Sequence, residues 1–103
     1  MTLGPLQQAL LMVLLYAKGD LTTIEVYDAL LGKYEPLSLA SIFITLDRMH
    51  RKGWVTRRKG EPLPERGGKA RLHYKITKNG RAILREAENM RAALNTLKPV
   101  TVS

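Results

Sequence analysis

The 103-residue chain contains no cysteine, which excludes a disulfide framework and any thiolate metal site. Histidine is nearly absent. His50 sits on the flank of an amphipathic stretch and His73 in an alternating one, and neither has a carboxylate at a spacing that makes a triad or a metal site. No catalytic residue, metal or cofactor is therefore expected. There is no glycine-rich phosphate loop either, since Gly67-Gly68 reads as ordinary turn chemistry at a hairpin tip. The longest apolar run, Ala9 to Ala17, falls far short of the roughly 20 residues a membrane span needs. It follows residues without side-chain charge and precedes no small-residue cleavage site, unlike a secretory signal. The expectation is a soluble, cytoplasmic protein without a membrane partner.

Acidic residues are also scarce. Nine Asp and Glu stand against 17 Lys and Arg, a formal net charge of +8. The imbalance is segregated: residues 1–47 hold two basic and five acidic side chains, a net of −3, whereas residues 48–103 hold 15 and four, a net of +11. A cationic half of this kind raises the prior for a polyanionic partner, nucleic acid first and anionic lipid second. The length allows one small domain, and 45% hydrophobic with 25% charged residues are globular values.

The stretch SLASIFITLDRMHRKG, Ser38 to Gly53, organises the rest. Ser38 is a good N-cap and Gly53 suits the left-handed position that ends a helix. Leu39, Ile42, Leu46 and Met49 recur at helical spacing and predict a core-facing stripe. The opposite side is small and apolar at its start and cationic at its end, which suits a helix that enters a groove and anchors on phosphates. An ordinary surface helix whose cations complement the macrodipole would carry the same pattern.

Pro5 opens an earlier helix running to about Lys18, so apolar that it needs covering on two sides, one of them most simply a second copy of the chain. Thr22 and Glu25 form a capping box for a second helix carrying Ile24, Tyr27, Leu30, Leu31 and Tyr34, with Gly32 near its end, and Pro36 then forces the chain out of helical geometry, leaving a short connection to Ser38. Helix, short turn and capped helix make a helix-turn-helix. The pattern then changes period: residues 54–58 and 71–76 predict two strands around the loop KGEPLPERGGKA, a β-hairpin wing over about 54–76 with Arg57, Arg66, Lys69 and Arg71 pointing outwards. Thr77 caps a last helix over 78–97, where Ile83, Ala87, Met90, Leu94 and Leu97 form a coiled-coil seam. With Leu10 and Leu14 of the first helix, this seam is the expected dimer interface, against the alternative that the last helix folds back on its own domain. The fold class expected is mainly α with a small β-hairpin: a winged helix-turn-helix over 1–77, a C-terminal dimerisation helix and a short tail over 98–103.

SLASIFITLDRMHRKGWV resembles the core signature of the PadR family of transcriptional regulators, and GEPLPERGGKARLHYKITKNGRAIL resembles its wing and the entry to its last helix. With one helix after the wing, the chain is similar to the short class of that family. The resemblance implies a homodimeric regulator, usually a repressor, that binds a pseudo-palindromic operator on double-stranded DNA. It also implies that Ser38, Ala40, Ser41, Phe43, Ile44 and Arg48 sit at or beside the major groove. Many relatives have tyrosine at the position of Phe43, so a phosphate hydrogen bond is lost there. Some relatives bind flat aromatic effectors through a tryptophan on the last helix, but the one tryptophan here is Trp54, and no effector is assigned.

In the working reading, Ala40 and Ile44 meet thymine methyl groups, Ser41 or Thr45 donates to base edges, and Arg48 reads guanine. Arg51, Lys52, Arg57, Arg58, Arg66, Lys69 and Arg71 neutralise phosphates. The alternatives are a winged-helix protein-interaction module that reads no DNA, or a basic surface for anionic lipid.

Overall fold

In the computed structural model residues 3–62 and 70–97 are described. The elements run α1 (Pro5–Tyr16), β1 (Leu21–Thr22), α2 (Thr23–Leu30), α3 (Leu39–Arg51), β2 (Val55–Pro62), β3 (Ala70–Ile76) and α4 (Lys78–Asn95). Each helix after α1 starts on a hydroxyl cap, as the sequence predicts. The Thr22, Ser38 and Thr77 side chains accept from the amides of Glu25, Ser41 and Gly80, and Glu25 returns a bond to the Thr22 amide. These bonds satisfy amides that the first helical turn cannot.

The apolar run in α1 makes it the central helix of the domain. Leu10, Leu11 and Leu14 are buried, and α2, α3, β3 and α4 all touch this helix. This corrects the expectation that Leu10 and Leu14 face a second copy: at 0% and 2% exposure they belong to the chain's own core. The small domain covers its first helix with three other helices and a strand, so its apolarity needs no partner on that face. α2 is shorter than its apolar spacing predicts. It stops at Leu30, leaving Ile24 and Leu31 exposed, while Val26 and Leu30 join the core.

The sheet is three-stranded and antiparallel in the order β1-β3-β2. Its two-residue first strand carries no readable period, so only the hairpin is legible in sequence. β2 runs through Lys59 to Pro62, where the sequence predicts loop. Because β2 is an edge strand, the amide that Pro62 lacks is not required by a second neighbour. Gly60 suits a close approach there, since a Cβ would stand 2.5 Å from the Nε2 of His73 on β3. Arg66, Lys69 and the tail over 98–103 lie outside the described residues.

Two contacts join the end of α3 to the start of α4. The Thr77 hydroxyl donates to the Gly53 carbonyl at 2.7 Å, and the Thr77 amide donates to the Trp54 carbonyl at 3.0 Å. Gly53 itself has φ +79°, the left-handed conformation expected of it. Gly80, in the first turn of α4, lies against the Trp54 carbonyl so closely that a Cβ would collide with it. Leu84 then enters the core, but from Glu88 to Leu97 every residue is exposed. The last helix buries side chains in its own domain over its first half only, and beyond that half Arg91 donates to Gln8 Oε1 of α1 at 2.8 Å.

Alanine is about 1 kcal/mol better than glycine inside a free helix, yet Gly80→Ala is expected to lower the unfolding free energy by about 1 to 3 kcal/mol, the usual cost of overpacking. Urea denaturation measures it, and a more stable variant would show that α4 is not seated on Trp54.

Candidate nucleic-acid interface

The orientation of α3 follows from which of its side chains are buried. Ile42, Leu46 and Met49 are fully buried, and they fix the helix rotation so that Ala40, Phe43, Ile44, Arg48, Arg51 and Lys52 face solvent. Leu39 departs from its expected place in the core: as the first residue of α3 it is 38% exposed. With Phe43 at 45% and Ile44 at 54%, it gives the N-terminal half of the helix an apolar surface. Large apolar groups left in water on one helix face mark a contact surface.

Hydroxyl groups at the start of α3 are already committed as donors. Ser38 Oγ donates to Ser41 Oγ at 2.9 Å, Ser41 Oγ donates to the Ser38 carbonyl at 2.8 Å, and Thr45 Oγ1 donates to the Ser41 carbonyl at 2.6 Å. In this arrangement Ser41 and Thr45 offer acceptor lone pairs outwards, and each must rotate before it can donate to a base.

The cationic residues fall into two groups. Arg51 and Arg57 both reach Asp47 on α3, at 2.8 Å and 3.1 Å. Arg57 was expected to point outwards. It shares a strand face with buried Val55 and stands opposite buried Tyr74, so strand alternation turns it towards α3 instead. Arg58 is on the outer face but forks onto Asp20 through two bonds of 2.5 Å and 3.2 Å. That guanidinium holds the Asp20 carboxyl below its ordinary pKa. His73 Nδ1 on β3 lies 3.4 Å from the same carboxylate, so side chains of β2 and β3 meet at the residue that precedes β1.

Among the described residues, Arg48, Lys59 and Arg71 are exposed and have no acidic partner. Lys52 lies with its Nζ 4.7 Å from the centre of the Trp54 ring, a cation–π contact that leaves the charge at the surface.

Sequence reasoning missed three participants. Asp47 was readable as the i,i+4 partner of Arg51, but its bond to Arg57 depends on how the sheet docks. Asp20 is 38 residues from Arg58, and only strand pairing brings them together. Lys59 lies in β2, where the sequence predicts loop. Among the described residues no group of His, Asp and Glu side chains could hold a metal ion, and no helix is long and apolar enough to cross a membrane.

A helix-turn-helix whose second helix shows an apolar-then-cationic face, followed by a basic antiparallel hairpin, defines a winged helix-turn-helix protein. A family model described as the transcriptional regulator PadR-like family matches residues 10–86. The chain belongs to the PadR-like family of transcriptional regulators.

Solved structures agree on the fold. The chain is similar to PadR of Bacillus subtilis, solved in complex with operator DNA, at 20% identity and a TM-score of 0.65. That match covers 95% of this chain and 52% of the other, so the chain spans about half the length of that relative. It is also similar to a PadR family transcription regulator from Clostridium difficile, with 18% identity, a TM-score of 0.69 and coverage of 89% and 92%. A PadR-like transcriptional regulator from Bacillus cereus gives 20%, 0.67, 88% and 84%. No curated relative matches the chain.

Proposed function

We propose that the protein is a sequence-specific DNA-binding repressor that acts as a homodimer on a pseudo-palindromic operator. The observation that carries this reading is the outward face of α3. It joins exposed Ala40, Phe43 and Ile44 to Arg48, which has no acidic partner among the described residues, on a helix whose other side is locked into the core. A major groove accepts such a helix. Apolar side chains meet thymine methyl groups, and a free guanidinium can bond guanine O6 and N7 bidentately. Lys52, Lys59 and Arg71 then supply phosphate contacts, and Arg66 and Lys69, outside the described residues, are further candidates from the sequence. A structural relative solved in complex with operator DNA supports DNA as the partner by analogy.

Dimerisation rests on α4. Met90, Leu94 and Leu97 are 60%, 56% and 68% exposed and continue the line of half-buried Ile83 and Ala87. A second copy that covers this seam removes these exposed apolar side chains from water. It also places two recognition helices on one duplex, which is what a palindromic site requires.

Selection of bound duplexes from a randomised library is expected to enrich a two-fold symmetric sequence. Failure to enrich any sequence, together with capture of one cellular protein, would favour the interaction-module reading. On the enriched duplex, Arg48→Ala is expected to cost about 1 to 3 kcal/mol and relax preference at one position per half-site, whereas Arg71→Ala weakens all duplexes alike and flattens the salt slope by about one unit. Equal, purely non-specific losses in both variants would remove Arg48 from base reading.

Leu94→Glu is expected to give a folded monomer in sedimentation with a normal circular dichroism spectrum. A wild-type protein that is monomeric at micromolar concentration would contradict the dimer.

A further inference from the structure

Asp47 is a carboxylate on a surface otherwise suited to polyanions. At about 100° per helical residue it lies within about 60° of Ala40, Ile44 and Arg51, on the outward face of α3. It is 35% exposed and binds two guanidiniums at once, Arg51 of its own helix and Arg57 of β2. Its pair with Arg51 has little value for stability. Arg51 is 75% exposed, and a water-screened i,i+4 pair adds little to folding. Facing DNA, moreover, a carboxylate repels phosphate.

We infer that Asp47 is a specificity-determining residue, which restrains Arg51 and Arg57 from indiscriminate phosphate contact and leaves Arg48 as the one arginine of α3 free to engage the groove. The inference rests on the DNA-binding reading above and deepens it.

Non-specific affinity comes almost entirely from the number of phosphates a protein neutralises. Two unrestrained arginines beside the groove would raise affinity for every sequence equally and so compress the ratio between operator and random DNA. Held on Asp47, they contribute a net charge of one where two would otherwise act. The same carboxylate fixes the spacing between α3 and the base of the wing, because one partner comes from each. Discrimination then depends on groups that touch bases, and Arg48, one position along the chain, has no carboxylate partner among the described residues.

The test compares wild type, Asp47→Asn and Asp47→Glu by fluorescence anisotropy on the library-selected duplex and on a scrambled one, at several salt concentrations. Asparagine keeps the shape and removes the charge, and glutamate restores the charge one methylene further out. In Asp47→Asn, random-duplex binding is expected to tighten, with the salt slope steeper by about one to two units. Each recruited phosphate contact adds roughly a three- to fourfold further loss of affinity between 50 and 200 mM salt. The operator-to-random ratio should fall, and Asp47→Glu should return both quantities towards wild type.

An Asp47→Asn protein that binds both duplexes more weakly with an unchanged slope would overturn the inference and leave Asp47 a structural pair. Wild-type protein that prefers neither duplex would instead overturn the DNA-binding reading itself, so the two failures are distinguishable. Thermal melting of each variant separates a folding defect from either outcome.

Discussion

Burial of Ile42, Leu46 and Met49 among the leucines of α1 is the interaction on which the rest of the structure depends. A helix has a fixed angular relation between its faces, so seating three residues in the core also decides which ones face outwards. Each fully buried aliphatic side chain of this kind contributes about 1.5 to 3 kcal/mol, enough to hold the rotation of a helix whose outward apolar residues would themselves prefer burial. α1 can serve as the seat because its apolarity continues around its circumference, letting α2, α3, β3 and α4 dock on different sides of one rod.

Charge is the second level of organisation, and it works by subtraction. The sequence shows a large positive excess, but much of it is neutralised locally. Arg58 is tied to Asp20, while Arg51 and Arg57 share Asp47. Their carboxylates come from the first 47 residues, the acidic half of the chain. The two halves thus meet in the fold, and part of the apparent phosphate-binding capacity becomes a frame that ties the sheet together and to the helix beneath it. What is left for DNA is smaller and better placed: an apolar patch at the start of α3, Arg48 beyond it, and cations along the wing.

Much of this was legible in the chain itself. Caps, glycine stops and helical spacing located three of the four helices closely, and the Thr22–Glu25 box and the Ser38 and Thr77 caps form as their chemistry predicts. The errors share a cause, which is that periodicity reveals a face but not what covers it. Leu10 and Leu14 read as an interface because a short chain seemed to have too little to bury them, yet α2, α3, β3 and α4 suffice. Arg57 read as outward because it is charged, although strand register places it beside Tyr74. Strand β1 was invisible at two residues, and with it the Asp20 cluster that only strand pairing assembles.

The central claim is that α3 lies in the major groove and reads a base there. Methylation interference on the selected duplex tests this directly, since dimethyl sulfate marks guanine N7 in the major groove and adenine N3 in the minor groove. Methylation of one guanine N7 per half-site is expected to abolish binding by the wild-type protein. Interference confined to adenine N3, or none at any base, would mean that α3 does not read the major groove.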